Sequence, residues 1–112
     1  MVNAADIRRC ALALPEVQET IHFRLPAFKV GEKIFAMVQS GDTHAILSVS
    51  EEQAKAAEDV DPRLCQVVRR NGGKIFVGVR VELSHADESH VKQLVEQAWM
   101  HKAPKRISAG RQ

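Results

Sequence analysis

Residues Leu25 to Val38, LPAFKVGEKIFAMV, constrain the fold more than any other stretch of the chain. Two extended apolar runs flank Gly31-Glu32, which reads as a β-hairpin with glycine at the first central position of a type II′ turn. A two-residue turn there sets Val30 opposite Lys33 and Phe28 opposite Phe35. Cross-strand aromatic pairs add a few tenths to about 1 kcal/mol to a sheet. The second run is apolar on both faces, with Ile34, Ala36 and Val38 on one side and Phe35 and Met37 on the other. A ribbon of that kind needs cover on both sides, at least in part.

Upstream, Asn3 caps a first helix, and Asp6 sits at its third position near the positive helix end. Ile7, Cys10, Ala11 and Leu14 form one apolar stripe, and Pro15 stops the helix. Glu16 to Thr20 reads as a polar connector. Ile21, Phe23 and Leu25 then alternate with His22 and Arg24 on the way into the hairpin, and Pro26 marks a kink or an edge position.

Downstream, Ser40 to Thr43 is a loop, and Ala45, Leu47 and Val49 alternate as a third strand. Ser50 and Gln53 make a capping box for a second helix, which carries Ala54, Ala56 and Ala57 and gives way to an acidic loop at Asp59 to Pro62. Leu64, Gln66 and Val68 alternate before Asn71-Gly72, a strong hairpin signal. Ile75, Val77, Val79, Val81 and Leu83 are the cleanest alternation in the chain. Ser84 or Asp87 caps a last helix with Val91, Leu94, Val95, Ala98 and Trp99 on its buried stripe, and Pro104 closes it. The expected order is α-βββ-α-ββ-α, an α+β, two-layer domain with an antiparallel sheet and helices on one face. Residues 1–104 form a single domain on this reading, and 105–112 a flexible basic tail.

A chain of 112 residues fits one domain, and 45% apolar with 27% charged residues is ordinary for a soluble globule. The net charge of +2 says little about partners. Cys10 and Cys65 have no CxxC spacing and read as small buried thiols in a reducing cytoplasm. No stretch resembles a signal peptide or a membrane span, so a cytoplasmic protein without a membrane partner is expected.

The residues announce no enzyme and no cofactor. Five histidines, His22, His44, His85, His90 and His101, lack the i, i+4 spacing of a helical metal pair. Cys10 lies on an apolar stripe, which favours burial over nucleophilicity. Asn71-Gly72-Gly73-Lys74 joins two strands and opens no helix, so no helix dipole aims at a phosphate. The carboxylates from Glu51 to Asp61 read as a solvated acidic face.

The positive residues are less evenly placed. Arg63, Arg69, Arg70, Lys74 and Arg80 follow one another from Arg63 to Val81 with no acid between them. With Asn71-Gly72 as the turn, Arg69 faces Lys74 and Val67 faces Phe76. That surface has cations around one aromatic, a small platform for phosphate and base. Lys29, Lys33 and Arg24 on the other hairpin could extend it, with Lys102, Lys105, Arg106 and Arg111. The competing reading is a solvated face whose Lys and Arg discourage edge aggregation. An aromatic content of 4% with no Tyr argues against stacking on single strands.

LPEV near Pro15, PAFKVGEKIFA from Pro26, GVRV from Gly78 and AWMHKAPKR from Ala98 together resemble the MmcQ/YjbR-like proteins, in order over nearly the whole chain. The resemblance implies a two-layer α+β fold of the type-III-secretion-chaperone kind. It also implies DNA binding through paired, wing-like hairpins, a label itself inferred from fold. It brings no catalytic residues. Members often place Trp in the second hairpin, where this chain has Lys74-Ile75-Phe76, and Phe76 lacks an indole N–H to donate. The expected nucleic-acid-binding set is Lys29, Lys33, Arg69, Arg70, Lys74, Phe76 and Arg80. The alternative expectation is a protein-binding module or homodimer using the sheet's outer apolar side around Phe28, Phe35 and Met37.

Overall fold

The computed structural model describes residues 2–22, 24–39, 41 and 43–108. Phe23 of the expected alternation, Ser40 and Asp42 of the expected loop and Arg111 of the tail lie outside the described residues. Helix α1 (Ala4–Leu12) is closed by a full capping box, with Asn3 and Asp6 each accepting the other's backbone N–H. Strands β1 (Val17–His22), β2 (Leu25–Val30), β3 (Lys33–Val38) and β4 (His44–Leu47) follow, then α2 (Glu51–Val60), again boxed by Ser50 and Gln53. Strands β5 (Cys65–Arg70) and β6 (Ile75–Glu82) precede a 3-10 turn at Leu83–His85. Asp87, not Ser84, caps α3 (Glu88–Lys102), accepting from the His90 N–H.

The strands form one antiparallel sheet in the order β1-β2-β3-β4-β6-β5, with helices on one face. The α+β two-layer expectation and its order hold, with one strand more. Val17–His22 is that strand, where a polar connector was expected over Glu16 to Thr20. As the outermost strand it is half-exposed on both faces, so it carries no alternation to read. Chain reversal between His22 and Leu25, with Arg24 at φ 65°, splits the run that looked continuous. Pro26 therefore lies in an interior strand, but outside the β2–β3 register, which runs from Ala27↔Met37, so its missing N–H breaks no bond there.

Two bulges decide which side chains face the core. The first turn is Gly31-Glu32 as expected, yet both residues have positive φ (54° and 77°), which is type I′ and not II′. Beyond Lys29↔Ile34 the register shifts, so Phe28 pairs with Ala36 and the expected Phe28–Phe35 pair does not form. The extra residue lets Phe35 and Ala36 both enter the core, and sends Ile34 and Met37 to the outer face. Phe28 and Phe35 are thus core residues, at 1% and 0% exposure. At the second hairpin Arg70 pairs with Ile75, leaving Asn71 to Lys74 as the connection in place of a two-residue turn. A bulge after Val68 then sets Arg69 against Phe76 and Val67 against Val79, not the expected Arg69–Lys74 and Val67–Phe76.

Trp99, Val91, Leu94, Val95 and Ala98 of α3 lie buried against this sheet, and the Trp99 indole donates to the Pro15 carbonyl at 3.1 Å. Full burial of each large apolar side chain contributes about 1.5–3 kcal/mol. The expected loose tail does not begin at Lys105. Residues Lys105–Ser108 form a helical turn, α4, and Ile107 is 5% exposed. No described helix is long and apolar enough to cross a membrane.

Candidate nucleic-acid interface

Strand directions place both hairpin turns at one end of the sheet. Strand β3 leaves the first turn, β4 runs back, and β6 again runs away, so β6 starts at the end where β3 starts. With strands about 4.8 Å apart, the two turns stand three spacings, roughly 14 Å, from each other. The C-terminus of α3 reaches the same end, where Pro104 and Ile107 pack beside Gly31. A β-carbon on Gly31 would come 2.6 Å from Pro104 Cγ, so the turn and the helix are fitted to one another.

This end gathers Lys29, Lys33, Arg70, Lys74, Lys102, Lys105 and Arg106, with Glu16, Glu32, Glu51 and Glu52 among them. Glu16 is engaged by Arg106 at 3.8 Å. The opposite end carries Asp6, Glu58, Asp59, Asp61, Glu82, Asp87 and Glu88, against Arg24, Arg63 and Arg9, which pairs with both Asp6 and Glu88. The domain is therefore electrically polar along its strands. Arg24 and Arg63, expected near the hairpin cations, sit at the far end.

The seven residues expected to act together are divided among faces. Lys29, Arg70 and Arg80 fall on the uncovered face of the sheet, and Lys74 is in the connecting loop. Lys33 is exposed at the first turn. Among the described residues none of these five makes an ion pair. Arg80 lies between Ile46 and Gln66 in the central row, and its Nε is buried without a hydrogen-bond partner.

Arg69 and Phe76 depart from that arrangement. Both point to the helix side, where the Arg69 guanidinium covers the Phe76 ring at 5.7 Å and donates to the Glu51 carboxylate. The hydrogen bond from Arg69 holds the Glu51 carboxyl below its ordinary range. An arginine so engaged is not free to meet a phosphate, and the ring beneath it is not free to stack on a base. Sequence reasoning missed this because the partner comes from α2, which only the tertiary fold carries over β5.

Burial pushes the thiols of Cys10 and Cys65 above their usual range. Among the described residues no three His, Cys, Asp or Glu side chains are grouped to hold a metal ion. An open notch of about 360 Å³ beside the first turn is lined by Glu16, Gln18, Lys29, Glu32 and Arg106, with charges of both signs.

A family model described as YjbR matches residues 12–101. Among solved structures, the chain is similar to the crystal structure of Deinococcus radiodurans protein DR2400, a DUF419 domain, with a TM-score of 0.73 and 20% sequence identity. That likeness covers 90% of this chain and 78% of the other. No curated protein matches the chain.

Proposed function

The chain belongs to the YjbR family, and we propose that it is a non-enzymatic, cytoplasmic protein that binds the phosphates of duplex DNA with the turn end of its sheet. The observation that carries this reading is the charge polarity, which collects Lys29, Lys33, Arg70 and Lys74, without ion pairs among the described residues, around two turns at one end. Two basic points roughly 14 Å apart suit a duplex, whose major groove is about 12 Å wide. Arg80 stands behind them on the uncovered face. Arg69 and Phe76 leave the proposed set, because Glu51 and the helix layer engage them.

Such binding is electrostatic, weakly selective in sequence and steeply salt-dependent, since displaced counterions drive it. Titration of a labelled duplex at low and moderate salt tests it. Flat, negligible binding at the lower salt removes the proposal.

A second reading, a protein-contact surface, is favoured by one observation. The uncovered face presents Leu25, Ile34, Met37 and Ile46, all half-buried, without a layer over them. It no longer rests on Phe28 and Phe35, which are core. A Met37→Asp variant that folds and still sediments as wild type speaks against it.

A further inference from the structure

The two edges of the sheet are treated differently. The β5 edge strand ends on two arginines, Arg69 and Arg70, and the Glu58 carboxylate accepts the Val67 backbone N–H at 2.9 Å. That N–H would otherwise be offered to a passing strand, and capping it closes the edge. The β1 edge has no bulge, no Pro and no Lys, and no side chain among the described residues caps it. Its carboxylate, Glu19, is paired with Arg8 of α1 at 2.6 Å, which draws it toward the helix layer. Ile21, in the same strand, is 76% exposed.

We propose that β1 is a pairing edge, and that its occupant is β1 of a second copy of this chain, run antiparallel to make one continuous sheet. Register and charge select that occupant. His22 closes against Leu25 across a two-residue turn, so His22, Thr20 and Gln18 direct their main-chain groups to β2. Val17, Glu19 and Ile21 direct theirs outward. A two-fold axis normal to the sheet keeps every side chain on its own face, which requires one residue to lie on the axis. An axis at Glu19 would set two carboxylates against each other. An axis at Thr20 sets Glu19 against Ile21 of the second copy, in both directions. The outward N–H and carbonyl groups of each then find partners, and the two threonines meet as a favourable cross-strand pair. This contact is made along the β1 edge and not by the turn cations, so it stands or falls apart from the proposed DNA binding.

The test is sedimentation of the full chain without DNA, from low micromolar to submillimolar concentration. A species of twice the 12.5 kDa chain mass is expected to rise with concentration. Glu19→Pro removes an outward N–H without touching the β2 ladder, and Ile21→Lys places a lysine on the edge. Both should return the protein to single chains with its circular dichroism unchanged, Ile21→Lys also keeping the Arg8–Glu19 ion pair that Glu19→Pro removes. In a Cys10→Ser background, Thr20→Cys should crosslink under mild oxidation and Gln18→Cys should not, because only the former meets its own copy. A wild-type chain that stays monomeric throughout overturns the proposal. So does a dimer that survives both substitutions, or crosslinking no better at position 20 than at position 18.

Discussion

Replacing Lys33 and Lys74 together by Gln removes one cation from each turn, and the size of the effect follows from the geometry. Lys29, Lys33, Arg70 and Lys74 are the cations of the two hairpins at the turn end, and none makes an ion pair among the described residues. If each neutralises one phosphate, the logarithm of the binding constant falls against the logarithm of salt with a slope of about −3.6, at about −0.9 per contact. Affinity for duplex DNA should then drop about 150-fold between roughly 50 and 200 mM salt. The double variant, with half the contacts, should show a slope of about −1.8 and a drop of only about 12-fold. Fluorescence anisotropy of a labelled duplex across that range measures both slopes. Arg69→Gln supplies the control, since that guanidinium is already paired with Glu51 and should leave the slope at its wild-type value. A double variant that keeps the wild-type slope, or an Arg69→Gln slope that falls by a full contact, refutes the assignment of these residues.

Phe35→Ala empties a fully buried site in the bulged strand and should cost about 3–5 kcal/mol in urea unfolding. A loss below about 1 kcal/mol, the size expected of an exposed site, would return Phe35 to the outer face. Gly31→Ala meets Pro104 at 2.6 Å in a backbone with φ 54°, so it should lower the melting temperature by more than Gly72→Ala, which has open space around it. The Glu51 carboxyl is held low in the folded state, so the stability it adds is present above the ordinary carboxylate range and is lost as pH falls through the lower folded value. Glu51→Gln should therefore weaken the protein at neutral pH and flatten the acid limb of its stability profile, read by denaturant melts at several pH values. Asp59→Lys exchanges an acid near the C-terminus of α2 for a cation that suits the helix dipole, and should add about 0.3–1 kcal/mol in the same melts.

Local chemistry carried much of the fold. Asn3 with Asp6 and Ser50 with Gln53 announced two helix starts, and the boxes are present as read. The alternation from Ile75 to Leu83 is the long strand β6 and its continuation. What local chemistry could not show was phase. In a strand the side-chain period is two, so one inserted residue exchanges the faces of everything beyond it. The bulge beside Phe28 took Phe35 from the expected outer surface into the core. The bulge after Val68 set Arg69 against Phe76, on the side where Glu51 waits. The extra residue of the first bulge, Phe35, has no glycine beside it, whereas that of the second, Val77, is followed directly by Gly78, a mark that the alternation from Ile75 concealed. The turns of the candidate site were therefore legible, while the faces of its side chains were not.

The charge polarity has a plainer explanation that holds for only part of it. Helices α1 and α3 start at the far end and finish at the turn end, so Asp6, Asp87 and Glu88 sit near positive helix ends, and Lys102 near a negative one. Helix dipoles alone would favour that placement. Helix α2 runs the other way and has no basic residue in its last turn, where Glu58 and Asp59 oppose its dipole. Glu58 is accounted for by the Val67 N–H that it caps, and Asp61 accepts from the backbone N–H groups of Arg63 and Leu64. Asp59 has no such task among the described residues. It keeps the far end acidic at a cost to its own helix, which accords with the proposed binding of phosphate at the turn end.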